Sequence, residues 1–188
     1  MIQAAGMDAF LSHVSRSLES VGVDYAVVGS VASSFHGEPR MTRDIDVIAR
    51  IFRSDIPKLA AQFPEDDFYF DRDMVRDSVV SRQPFNIVDL RTMWKADIIL
   101  PSEPYAHEEL ARRQRVELVG VSLYVATAED TVVSKMRWSK RTESGRQLED
   151  AAGVVRVRGA SLDHGMIAAL VTRFDLAREW ARVLELAA

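Results

Sequence analysis

The sequence of 188 residues contains no cysteine, and that absence removes several chemistries at once. Disulfides, thiolate zinc sites and iron–sulfur clusters all require the thiol. Histidine is scarce too: four scattered residues make a histidine-built metal centre a poor expectation. Any metal must then be sought on oxygen ligands, which suit magnesium or manganese. Long apolar runs are also missing, and none approaches the roughly 20 residues of a membrane span. The opening Met1-Ile2-Gln3-Ala4-Ala5-Gly6 lacks the charged and apolar regions of a secretory leader. A cytoplasmic protein with no membrane association is the expectation. There is no excess of positive charge either. A net charge of -4 and a pI near 5.6 speak against nucleic-acid binding over the whole surface, while leaving a local basic patch open.

What is present begins at Val28-Gly29-Ser30. The β-branched, apolar run Tyr25-Ala26-Val27-Val28 reads as a buried strand, and Val31-Ala32-Ser33-Ser34-Phe35-His36 suits a helix. Gly29 therefore falls at a strand-to-helix turn. Without a Cβ it lets a phosphate approach the backbone, and the unpaired first N–H groups of the helix form an anion site that the Ser30 hydroxyl extends. A short interval later come Asp44-Ile45-Asp46, leading into Val47-Ile48-Ala49. On a strand both carboxylates share a face, roughly 7 Å apart at Cα for a rise of about 3.3 Å per residue. Such side chains can converge on metal ions about 3.5 to 4 Å apart, the spacing of two-metal phosphoryl transfer.

Around these motifs the periodicity predicts a mixed α/β (α+β) sheet flanked by helices, followed by a helical region. Phe10, Leu11, Val14 and Leu18 recur at helical spacing until Gly22. Ser54 or Asp55 can cap a helix with Pro57 in its first turn, running through Phe63. Residues 65–82 are charged and read as irregular, with short strands around Phe68-Tyr69-Phe70. Residues 85–90 and 96–100 predict a hairpin, and 115–118 with 122–125 a smaller one around Gly120. Thr127, with Asp130 three residues on, resembles a helix start. Further helical patterns cover 146–157, Ser161 or Asp163 to Thr172, and Phe174 to Leu186. The expected division is a core over residues 1–127 and a helical region over 128–188 packed on it, with no repeat and no linker.

Gly29-Ser30, Asp44-Ile45-Asp46 and Lys95-Ala96-Asp97-Ile98-Ile99 together resemble the DNA polymerase β-like nucleotidyltransferase superfamily over roughly residues 20–100. The run Phe35-His36-Gly37-Glu38-Pro39-Arg40-Met41-Thr42-Arg43 looks like the branch containing AbiEii-type toxins and related bacterial nucleotidyltransferases. Glu129-Asp130 followed by Lys135, and Leu148-Glu149-Asp150, resemble later motifs of that branch, with Gln147 standing where the branch commonly has an aspartate. The resemblance implies that Asp44, Asp46 and Asp97 hold magnesium or manganese, and that Asp97 serves the acceptor hydroxyl. It implies further that Gly29 and Ser30 hold the β- and γ-phosphates of a nucleoside triphosphate. Lys135, and after it Arg43 or Arg40, would neutralise the leaving pyrophosphate. The implied reaction moves a nucleoside monophosphate to a hydroxyl, with an RNA 3′ end (tRNA first) and an antitoxin partner as the branch suggests. A small-molecule antibiotic, a protein hydroxyl, or a non-catalytic nucleotide- or partner-binding module are the alternatives.

Blander roles stand beside these. Asp89 competes as the third carboxylate, though Leu90-Arg91-Thr92 after it looks like a strand end. Lys135 and Asp150 could be solvated helix residues, and His36 and Trp94 read as packing residues. Lys135, Arg137, Lys140, Arg141, Arg146, Arg156 and Arg158 could line a groove for RNA phosphates or form a solvated face. Trp138 among them could stack a base, but anchoring its helix to the core is the preferred reading.

Overall fold

The computed structural model describes residues 6–188, so the Met1 to Ala5 part of the leader reading lies outside the described residues. The apolar stripe expected from Phe10, Leu11, Val14 and Leu18 forms α1 (Met7–Val21), all four side chains buried, and Gly22 ends it with φ 81°. It leads into β1 (Asp24–Val27), α2 (Gly29–His36) and β2 (Asp44–Arg50). A 3-10 turn at Arg53–Asp55 introduces the short α3 (Ile56–Ala60), which stops before Phe63, although Phe63 is still buried.

Within residues 65–82 the short strand expected around Phe68-Tyr69-Phe70 is β3 (Phe68–Tyr69), but the rest, expected to be irregular, holds the helix α4 (Arg72–Ser81). The Asp71 carboxylate caps α4 by accepting from the N–H groups of Asp73 and Met74, both at 2.9 Å. Only Val75 of this helix is buried, so no apolar stripe marks it in the sequence. The expected hairpin is β4 (Phe85–Asp89) and β5 (Lys95–Ile99). An unanticipated helix, α5 (Pro104–Arg112), follows, and its buried face of Tyr105, Glu109 and Leu110 includes an acid that masks the periodicity. The smaller hairpin is β6 (Gln114–Leu118) with β7 (Val121–Val125). The chain closes with α6 (Ala128–Thr142), α7 (Gly145–Arg158), α8 (His164–Phe174) and α9 (Ala177–Ala187).

Among the described residues the strands form one mixed sheet in the order β3-β4-β5-β2-β1-β7-β6. β2 runs parallel to β5 and β1 parallel to β7, while the remaining neighbours are antiparallel. One apolar cluster joins α1 to the sheet through residues such as Phe10, Leu11, Ile45, Val47 and Ile98. A second gathers Val133, Met136, Val154, Ile167 and Leu176 of the last helices, together with Tyr105 from α5. No helix among the described residues is long and apolar enough to cross a membrane.

The end of α2 joins the two clusters. Gly37 lies directly against the backbone of α7: a Cβ there would stand 2.6 Å from Val154 N and 2.7 Å from Gly153 C. Beside it His36 is buried, with Nε2 2.7 Å from Ala126 O and Nδ1 3.0 Å from the Arg158 guanidinium, which is a packing role. Burial pulls its pKa below the ordinary value, keeping the ring neutral. Thr127 caps α6 as anticipated, accepting from Asp130 N–H at 3.1 Å.

Asp130 is itself fully buried and accepts from Arg112 Nε at 2.9 Å, Arg112 Nη2 at 2.7 Å, Tyr105 Oη at 3.1 Å and Thr127 Oγ1 at 2.8 Å. This one carboxylate locks α5 to α6. Because removing one partner of such a network leaves the others unpaired, Asp130→Ala should cost about 3 kcal/mol of stability. Urea denaturation would read this as a lower midpoint at unchanged slope, with Asp130→Asn losing less.

Candidate active site

The parallel register of β2 and β5 sets Asp44 beside Lys95 and Asp46 beside Asp97. Since alternate residues of a strand share a face, all four side chains project to one side of the sheet. The three candidate carboxylates are thus brought onto one face, with Lys95 at the fourth corner. Lys95 Nζ stands 3.1 Å from Asp97 Oδ1 and 3.6 Å from Asp44 Oδ1. Burial works against its charge, but the two carboxylates outweigh that and hold its pKa above the ordinary lysine value. Lys95 has a clear electrostatic role that sequence reading missed; its only signal was its place two residues before Asp97, on the same strand face.

Asp46 lies deeper. Burial, then the neighbouring Asp97 and more weakly Asp44, raise its pKa, against the opposing pull of Lys135 and a hydrogen bond from Ser30 N–H. Asp89, the competing acid, is spent on its own turn, accepting from the N–H groups of Arg91 and Thr92 at 2.8 and 3.2 Å.

Whether this face suits a divalent cation can be tested on its donors. Asp97 Oδ1 is buried and is paired with the Lys95 ammonium at 3.1 Å. Three carboxylates on one sheet face supply oxygen donors of the kind a hard cation such as magnesium or manganese takes. No three acidic or histidine side chains among the described residues form a closed cage as they stand. Lys95 Nζ stands between Asp44 and Asp97 instead.

At the strand-to-helix turn Gly29 adopts φ +62°, and a Cβ there would meet Asp46 Cγ at 2.7 Å and its Cβ at 2.9 Å. Glycine is thus required twice, by the left-handed backbone and by the packing of Asp46 against the start of α2. The next residue presents its hydroxyl to two cations. Ser30 Oγ accepts from the Arg40 guanidinium and lies 3.5 Å from Lys135 Nζ. Both cations share the buried carboxylate of Asp150, which accepts from Arg40 at 2.7 and 2.9 Å and from Lys135 at 2.6 Å.

Burial alone would raise the Asp150 pKa, yet Arg40 and Lys135 hold it below the ordinary value. Burial and the adjacent Arg40 pull Lys135 down, with Asp150 opposing. Two cations sharing one anion leave the cluster with a surplus positive charge against Ser30. This resolves the choice between the two arginines: Arg40 joins the cluster, whereas Arg43 is exposed and makes no hydrogen bond or ion pair among the described residues. Asp150 and Lys135 are equally far from solvated helix residues, with side chains only 6% and 5% exposed.

Gly29, Ser30, Asp46 and Lys135 line one end of a cleft of about 390 Å³ that continues between β2, β5, α5 and α6. Gln147, one turn of α7 before Asp150, also faces it. Its walls include Ile48, Ile99 and Leu100, and at the mouth Trp138 is 49% exposed with Arg141 4.9 Å from its ring. Trp138 therefore does not anchor α6 to the core. The other basic residues of the helical region are largely committed within the protein: Arg137 to Glu103, Lys140 to Asp175, Arg156 to Glu38, and Arg158 to His36.

No protein-family model matches the sequence, and no curated protein matches it. Solved structures do match in fold. An antigenic nucleotidyltransferase-like protein from Paracoccidioides brasiliensis superposes with a TM-score of 0.57 at 15% identity, over 98% of this chain and 94% of that one. ANT(2'')-Ia in complex with adenylyl-2''-tobramycin gives 0.58 at 10% identity, over 89% of this chain and 97% of that one. At such identities the likeness establishes the architecture: the chain has the nucleotidyltransferase fold, a mixed sheet flanked by helices with a C-terminal helical region.

Two outcomes follow from this geometry. Gly29→Ala should lose about 2 kcal/mol of stability from the left-handed backbone and the contact with Asp46, read by thermal or urea melting. Glu109, lining the cleft, has its pKa pushed up to about 8 by burial and by Asp130, from an ordinary 4.5. The folded protein therefore holds this proton where the unfolded chain has released it, so stability is lost as pH rises from about 4.5 to about 8. Glu109→Gln should remove that loss, its melting temperature gaining on the wild type between pH 5 and 8 and holding the gain above.

Proposed function

We propose that this protein is a metal-dependent nucleotidyltransferase that moves a nucleoside monophosphate from a nucleoside triphosphate to a hydroxyl acceptor. The observation that carries this reading is the buried Arg40–Asp150–Lys135 cluster, whose surplus positive charge meets the Ser30 hydroxyl beside the Asp46 and Asp97 face. Two cations and a hydroxyl converging beside a glycine turn are complementary to a phosphate chain.

In this mechanism Ser30, Lys135 and Arg40 bind the β- and γ-phosphates, and Gly29 lets the chain approach the backbone. Asp44, Asp46 and Asp97 would hold magnesium or manganese, which would neutralise phosphate charge and make the acceptor hydroxyl more acidic. The hydroxyl oxygen attacks the α-phosphorus in line, the bond to the β-phosphate oxygen breaks, and pyrophosphate leaves against Lys135 and Arg40. The hydroxyl proton passes to the Asp97 carboxylate. As triphosphate arrives, Lys95 exchanges a carboxylate partner for a phosphate oxygen.

The resemblance to the AbiEii-type branch supports an RNA 3′ end as acceptor, tRNA first, with an antitoxin as protein partner. The pairing of Arg137, Lys140, Arg156 and Arg158 within the chain favours a second reading, transfer to a small-molecule hydroxyl, because it leaves little free basic surface for RNA. ANT(2'')-Ia, with its adenylylated tobramycin, carries such a product on the same fold.

Incubation with each α-labelled triphosphate and magnesium, in the presence of total RNA, host extract or aminoglycosides, tests the reading. Label should pass to one of these fractions. Asp97→Asn should slow transfer at least about 10²-fold, the usual weight of a lost general base. Lys135→Ala and Ser30→Ala should weaken triphosphate binding. Absence of magnesium-dependent label in every fraction overturns the proposal.

A further inference from the structure

Beyond the phosphate end, the cleft contains a buried acid that the transfer chemistry does not use. Glu109 is 7% exposed, sits on the inward face of α5 and lines the cleft opposite the apolar side chains of β2 and β5. Ser134 Oγ donates to its Oε1 at 3.1 Å, and Oε2 has no hydrogen-bond partner among the described residues. Along α6, the residues Thr131, Ser134, Lys135, Trp138 and Arg141 all face the cleft, as spacings of three and four along a helix require. One helix face therefore runs from the phosphate-side lysine, past the carboxyl of Glu109, to an open indole ring.

We infer that this part of the cleft receives the nucleobase of the donor, stacked toward Trp138, and that Glu109 is a specificity-determining residue donating a hydrogen bond from Oε2 to an acceptor atom of the base. The inference rests on the proposed nucleotidyl transfer, for without a triphosphate at Ser30 there is no base to place. Three observations support it. The apolar walls of Ile48, Ile99 and Leu100 suit a flat ring, and Trp138 offers a stacking surface worth most to a base. Oε1 already accepts from Ser134, so the proton of a neutral carboxyl belongs on Oε2, the oxygen left for a ligand.

The charged groups around Glu109 favour the neutral form. Asp130 on α6 repels the carboxylate, and burial adds to that; Arg137 and Arg112 oppose, but Arg112 is bound to Asp130 and Arg137 to Glu103. Tyr105, on the same helix, is itself kept protonated by burial with Asp130 and Glu109 nearby. With its pKa pushed up to about 8, Glu109 is a donor at neutral pH and an acceptor-only group in alkali.

Titration calorimetry of the full chain with ATP, CTP, GTP, UTP and inorganic tripolyphosphate, each with magnesium, tests this directly. The preferred triphosphate should bind at least tenfold more tightly than tripolyphosphate. Glu109→Ala should remove most of that advantage while leaving tripolyphosphate affinity within about twofold. Glu109→Gln, whose amide keeps a donor in place, should retain the base preference at pH 7 and abolish the weakening that the wild type shows between pH 7 and 9. Trp138→Ala should reduce the advantage for purines most. If nucleotides bind no better than tripolyphosphate, or if a folded Glu109→Ala variant keeps the wild-type preference and pH profile, the inference is overturned and nucleotidyl transfer stands. If neither tripolyphosphate nor any nucleotide binds, nucleotidyl transfer itself fails.

Discussion

Asp150 reaches from α7 into the space between α2, α6 and the loop before β2, and bridges two cations that would otherwise repel each other beside Ser30. Most of the cleft geometry depends on that one carboxylate. Without it Arg40 would have no reason to fold back over the start of α2, and Lys135, almost fully buried, would face a heavy desolvation cost. A buried charge survives only when paired, so the pairing also fixes where α7 sits. Gly37 allows the same approach by letting its backbone meet that of α7, and the Glu38 to Arg156 ion pair closes its outer edge. The helical region is therefore part of the phosphate end of the cleft rather than an appendage to it.

On the opposite side the constraint is register. Asp46 faces Asp97 only because β2 and β5 run parallel with that alignment; a slip of one residue would turn one carboxylate into the apolar layer occupied by Ile45, Val47, Ala96 and Ile98. Burying that layer fixes the face on which the acids appear. Lys95, standing between Asp44 and Asp97, then relieves the mutual repulsion of carboxylates that share a small area. Folding and the proposed chemistry make compatible demands on these strands, since the same alternation that fills the core orders the acids.

Much of this was legible in the residues themselves. The glycine-serine turn, the acidic pair, the strand of Asp97 and the Thr127 cap all carry local signals, because each depends on neighbours within a few positions. The missed features are of another kind. α4 is a polar helix with a single buried residue, and α5 carries an acid on its inward face, so neither shows an apolar stripe. Arg40 rather than Arg43, the bridging role of Asp150, the placement of Lys95 and the exposure of Trp138 are set by contacts between segments distant in sequence. Spacing along the chain has no way to express such contacts. Even the paired state of the basic residues, which weakens the case for an RNA groove, depends on partners such as Glu38, Glu103 and Asp175 that come from elsewhere in the chain.

The distance along the chain between Arg40 and Asp150 is 110 residues. During synthesis the N-terminal part emerges and begins to fold first. The glycine turn and the row of acids can thus form before the counter-charge for Arg40 has emerged. Until α7 arrives, Arg40 and Lys135 lack the anion that aligns them. The cluster that meets Ser30 is thus completed only when α7 docks against α2 and α6.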